Sequence, residues 1–516
     1  MSIQHGTISG IFLLATILLN GCSGETEQKG LGGGGGGNGG GGNGGGGGDG
    51  SYGNPYIDAD FDGLMGTNQV YMSPTGVITG DCSTQQTACR TFAYAISQMV
   101  SGDGLILMDG DYDSIVNGEL RTTDNNGNSL PNGAASAQLP AGVSAAQPTI
   151  ARALNPGNVF IEGGFTLGTK FAKVQYIIVY GLTFFQPSSI RNADYSVLKA
   201  TGVYGGLSVG TSDHIMGTRF NLIEDVWIWG KNVRGNLTNF VGNNNLYRRV
   251  LMRDDGCDAL NCGEGAGNLK ISNTIYSSNN VTFENIISID KILRANTYGT
   301  GSYADFATAQ HGDKAFGTPG GELQGFNQWL GCMAINSEDA AINFEADNVM
   351  DAPVTTITIR DFVALNTRAG VSMDGARRAY TGVSKQDVSG IHIRTRDTPD
   401  FNQGCTVLQT SGDPGCSVHV PNDPVGAGVV TLAAYAAGQS SLLPLVRYGT
   451  TVALWPWPYE ARIHSDICNR INFNPNYATD GTGAGPGVGA FPQAGIRNTK
   501  NFCSYNGSLS NYINSF

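Results

Sequence analysis

Apolar residues return in one short pattern between residues 219 and 290. It reads FNLIEDVWIWG from Phe220, NNLYRRVLMRDDG from Asn244 and NNVTFENIISID from Asn279. Each copy sets an apolar residue, two polar residues and a second apolar residue in a row. These fall at Ile223/Val226, Tyr247/Val250 and Phe283/Ile286. The same skeleton is read at Val179-Tyr180-Gly181-Leu182, Leu330-Gly331-Cys332-Met333 and Ile359-Arg360-Asp361-Phe362. The step from Ile223 to Tyr247 is 24 residues, and the others lie near one or two such steps plus insertions. A unit this short cannot bury its apolar face alone, so a recurring β-rich unit predicts a solenoid in which neighbours stack.

The flanks extend the pattern. Cys89 to Val100 carries apolar residues at helical spacing, and Gly102 to Tyr112 reads as a strand bounded by turn residues. Pro148-Thr-Ile-Ala-Arg152 and Asn158-Val-Phe-Ile-Glu-Gly163 read as the next strands. Asn158, Asn244 and Asn280 precede strands, where an Asn side chain can stack with its neighbours and bond the turn backbone. The order of short helix then Gly/Asp-bounded strand resembles the opening of right-handed parallel β-helix proteins, polysaccharide lyases among them. That resemblance implies an all-β, right-handed parallel β-helix solenoid with a short N-terminal capping helix and an irregular C-terminal cap. Residues 57–404 are then the β-helix and 405–516 an extension packed on it. The tail segment Leu454-Trp-Pro-Trp-Pro-Tyr459 and the terminal Ser508-Leu-Ser-Asn-Tyr512 resemble segments of uncharacterised bacterial β-helix proteins. The Trp pair reads as a packing plug, with a sugar platform as the alternative.

Composition adds the setting. Only 14% of residues are charged and 76 of 516 are Gly, which suits short strands and tight turns. A net charge of −12 argues against a nucleic-acid partner, which needs a basic face. Ile11 to Leu19 is an apolar run too short to span a bilayer. It ends in Leu19-Asn20-Gly21-Cys22, which resembles a bacterial lipobox. The resemblance implies a signal peptide over 1–21, lipidation of Cys22 and attachment to a membrane through that lipid. Ser23 after the cysteine implies the outer membrane and cell surface. The match departs in one respect: residues 1–10 hold no Lys or Arg. Residues 22–56 form a tether, almost pure Gly over 30–50, whose chain of about 30 residues reaches roughly 30 Å.

Ten cysteines fit an oxidising compartment. The local disulfide candidates are Cys82 with Cys89, Cys257 with Cys262, Cys405 with Cys416 and Cys468 with Cys503, leaving Cys332. Connectivity stays open from sequence alone. Asp58, Asp60 and Asp62 before Gly63 look like the start of a calcium loop, but the twelfth position is Gln69 rather than Glu. An acidic linker is the alternative.

The densest chemistry is Arg248-Arg249-Val-Leu-Met-Arg253-Asp254-Asp255-Gly256-Cys257-Asp258. Three carboxylates at a strand exit can share a hard cation such as Ca²⁺. A cation neutralises a uronate carboxylate and acidifies the neighbouring C–H, which a base then removes. The string Asp254-Asp255-Gly256-Cys257-Asp258 resembles the calcium signature of family 9 pectate lyases. The resemblance implies Asp254, Asp255 and Asp258 as metal ligands and a later Lys as base, with Lys270, Lys291 or Arg253 as the candidates. The family's fourth Asp, one coil earlier, has no counterpart near Gly230-Lys231-Asn232. Lys270 also sits closer in sequence than the family pattern, and Arg294 is a further alternative. Asp-Asp-Gly is also ordinary turn chemistry. A second polar cluster, Arg294, Tyr298, His311, Asp313, Lys314 and Glu322, falls in the insertion 294–326. Two functions follow: a surface polysaccharide lyase on an acidic glycan, or a non-catalytic surface protein that binds glycan or a partner or serves a structural role.

Overall fold

A computed structural model describes residues 54–56, 64–114, 116–118, 120 and 138–162. Beyond these it describes the strands and corners of the coils up to residue 395, then 418–419, Phe502 and Tyr512. Every pairing between the strands described is parallel, as in Leu222–Gly230 against Leu246–Asp254. Three ladders run along the stack. The first joins Gln69–Val77, Gly104–Leu107, Thr149–Ala153 and Ile177–Tyr180, then the first halves of Leu222–Gly230 and Leu246–Asp254. It continues through Thr282–Glu284, Leu323–Leu330, Thr355–Arg360 and Val383–Ser389. The second runs from Gly110–Tyr112 and Val159–Glu162 through Thr183–Phe185 and the second halves of the two long strands to Ile287–Lys291 and Met333–Phe344. The third runs through Phe165–Leu167, Leu207–Val209, Thr238–Phe240, Leu269–Lys270 and Phe316–Thr318. Each coil therefore adds one strand to each of three parallel sheets, which is a parallel β-helix.

The recurring skeleton marks a corner. Asp225, Arg249 and Asn285 all have positive φ near 50°, and Gly181 and Gly331 align with them at 71° and 62°. In a flat strand, residues three apart point to opposite faces. The left-handed residue between them reverses that, so Ile223 and Val226 both enter the core, as do Tyr247/Val250 and Phe283/Ile286. In the next coil the pattern alone places the skeleton one residue late. Register pairs Phe283 with Trp329, so the unit is Trp329-Leu330-Gly331-Cys332, with Trp329 and Cys332 inside. Leu330 and Met333 face outward, and the glycine at the left-handed position is the signal that fixes the frame.

A second corner precedes each first-ladder strand. Tyr176, Phe220, Asn244 and Asn280 have φ of 55–56° there. The stacking amides are the next residues along. Asn221 Nδ2 donates to Asn245 Oδ1 at 3.1 Å, and Asn221 Oδ1 accepts from Ile177 N at 3.0 Å. Asn158 sits elsewhere, its amide donating to Asp109 at 2.9 Å. These bonds span separations of 44 and 24 residues, and the next coil adds 36. Strands and corners stay in register while the connections between them change length.

Inside, aligned side chains stack along the axis. Tyr247 lies on Phe283 at 5.3 Å between ring centroids, and Phe283 on Trp329 at 5.5 Å. At the start of the stack the helix Phe92–Ser97 places Phe92 and Ala95 in the same core as Val70 and Leu105. Thr91 caps it, its hydroxyl accepting from Tyr94 N. This is the expected cap over an otherwise open end. The ladder opens with Gln69–Val77, which pairs with Gly104–Leu107. Cys82 and Cys89 form a disulfide beside this cap, with Cα atoms 5.2 Å apart.

Candidate functional site

The basic residues beside the acidic string are part of the scaffold. Glu224, Arg248 and Glu284 occupy one rung position in three successive coils and face away from the core column. Burial of such charges is costly unless each is paired. Here signs alternate along the stack. Arg248 pairs with Glu284 through Nε at 2.5 Å and with Glu224 at 3.5 Å. Arg249 reaches back one coil, its Nη2 lying 2.7 Å from both Glu224 Oε1 and Asp225 Oδ2. All five side chains are nearly inaccessible. Earlier rungs of the same position hold Arg152, whose guanidinium lies 5.2 Å from the centre of the Tyr180 ring. The ladder thus holds together coils whose lengths differ.

The strand exits carry the remaining chemistry. Asp254 ends Leu246–Asp254 beside Gly230 of the previous coil. On the other side the register ends with Arg253 paired to Ile289, and Asp290 and Lys291 complete that strand, Lys291 paired with Ser337. Two carboxylate residues and a Lys therefore stand at the same end of the second ladder in adjacent coils. The sequence pattern sought its extra Asp one coil earlier, where Gly230 stands. Asp290, one coil later, was missed, and its signal was the aligned ending NNVTFENIISID against NNLYRRVLMRDDG.

Lys270 stands on the third ladder, paired with Asn239 and Gly317, in the same coil as Asp254 but on another sheet. Arg253 is fully buried. Asp255, Asp258, Cys257 and Cys262 lie outside the described residues, as do Cys22, Cys405, Cys416, Cys468, Cys503 and the cluster around His311. Among the described residues no group of three metal-ligating side chains converges. A hard cation suits the carboxylates at this exit by donor chemistry, since Asp254 and Asp290 supply only oxygen. Cys332 is buried, its thiol donating to Phe283 O at 3.4 Å, and burial pushes its pKa up to about 12. It belongs to the core.

No family model matches the chain, and no curated protein matches it. Among solved structures, a pectate lyase Pel9A is similar at 14% identity and a TM-score of 0.38, over 72% of this chain and 86% of that one. A rhamnogalacturonan lyase is similar at 14% identity and a TM-score of 0.31, over 64% of this chain. The chain spans 62% of the length of that rhamnogalacturonan lyase.

Proposed function

We propose that this protein is an exported, lipid-anchored surface protein that cleaves an acidic polysaccharide by cation-assisted β-elimination. The observation that supports this is that Asp254 ends one strand of the second ladder and Asp290-Lys291 end the strand beside it in the next coil. Asp254, Asp255 and Asp258 are the residues that would hold Ca²⁺, with Asp290 as the contribution of the following coil. A bound cation supplies the positive charge that a uronate carboxylate needs as its neighbouring C–H becomes acidic. The base takes that proton, a C=C bond forms to the adjacent carbon, and the glycosidic C–O bond on that carbon breaks. The leaving oxygen then takes up a proton. Because Arg253 is buried, the base is assigned to Lys291 or Lys270. Incubation of the full chain with a panel of uronate polymers, read by the ultraviolet absorbance of the unsaturated product, tests this. Turnover should be lost on chelation and in Asp255→Ala. No product from any polymer with folded protein rejects the lyase.

A second reading is a surface protein that binds glycan without turnover. It is favoured by the burial of Arg248, Arg249 and Arg253, which are committed to the scaffold rather than displayed. Retention on a glycan array with no unsaturated product distinguishes it.

A further inference from the structure

The first residues described do not lie at the start of the stack. Asn54 and Tyr56 are buried against strands much later in the chain. Asn54 Nδ2 donates to the carbonyl of Asn221 at 3.1 Å and to that of Asn244 at 2.6 Å, separations of 167 and 190 residues. One amide thus grips two successive coils. Its Oδ1 accepts from Tyr56 N at 2.8 Å, closing a turn that aims the ring. Tyr56 joins one buried apolar cluster with Ile150, Ile178, Leu222 and Leu246. These four are consecutive rungs of the first ladder and face away from the core column. This short segment therefore holds, through Asn54, two coils that enter the stack at different points in the sequence.

Contacts loaded in parallel break together, whereas a strand at the end of a ladder peels one rung at a time. We infer that Asn54–Tyr56 is a strap that fastens the preceding chain to two successive coils at once. A pull from that side is taken across the stack and reaches Gln69–Val77 only after the strap detaches. The strap does not depend on the lyase reading or on a lipid.

Single-molecule pulling on the full chain tests it, with one handle inserted after Gly40 and the other at the C-terminus. Asn54→Ala and Tyr56→Ala should each lower the force of the first rupture. Tyr56→Phe, which keeps the ring, should leave it at the wild-type value. Equal rupture forces in wild type and in the Asn54→Ala/Tyr56→Ala double variant overturn the strap. A measurement on the unaltered protein covers variants that fail to fold. Chymotrypsin should cut after Tyr56 at least about tenfold more slowly in the native protein than in urea, since cleavage must await opening. Comparable rates overturn it as well.

Discussion

Arg249 holds a backbone conformation that costs a non-glycine residue about 1–2 kcal/mol, and it does so with a buried guanidinium. The pairing with Glu224 and Asp225 is what makes this tolerable. Removing one member of such a buried set leaves an uncompensated charge. Arg248→Ala should therefore destabilise the protein by about 3–5 kcal/mol, read as a fall in the urea midpoint. A smaller loss than in an exposed Arg→Ala control argues that the ladder is not energetically coupled. Gly331 occupies the same corner position without a side chain. Gly331→Val should cost about 1–2 kcal/mol, whereas Gly331→Asn should cost less, because Asn285 already fills that position one coil earlier. Cys332 gives a pH prediction. Its pKa is raised by burial from 9.0 to about 12, so the folded state favours the neutral thiol. That contribution is present below pH 9 and is lost as pH rises through about 12. Cys332 should resist alkylation at pH 8 in the native protein and react only after unfolding, read by mass spectrometry of its peptide.

At the scale of the coil, the stacked column Tyr247–Phe283–Trp329 buries three large rings in contact with one another. Phe283→Ala should cost about 3–5 kcal/mol, and amide exchange should rise in the strands on both sides because neither ring keeps its neighbour. The corner was legible in the sequence because it imposes spacing: two inward apolar residues must flank a left-handed one, as at Ile223 and Val226. The frame slipped at Leu330 because Trp329, Leu330, Cys332 and Met333 are all apolar, so hydropathy alone could not tell the inner pair from the outer. The acidic exit was half legible. Asp254 stood out through its neighbours in sequence, but Asp290 comes to end the adjoining strand only through register, across a connection of unequal length. The buried ion ladder was illegible for the same reason. Arg248 and Arg249 look like a basic patch beside acids until Glu224 and Glu284 are stacked on either side of them. If the exit is a cation site, Asp290→Ala should weaken Ca²⁺ binding measured by calorimetry. Unchanged binding removes Asp290 from the site.

For the whole molecule, the unequal connections matter in another way. The coil from Leu222 to Asn245 is one complete turn of 24 residues. Excising it would join Gly181's coil directly to that of Arg249. By shape the join is good: Tyr247 would stack where Ile223 did, and Val250 where Val226 did. By charge it is bad, since Arg248 would meet Tyr180 in place of Glu224, and Arg249 would lose both of its acids. The apolar columns would accept that join, while the buried charges of these coils would not. In this stretch the charges give each turn an address that shape alone does not.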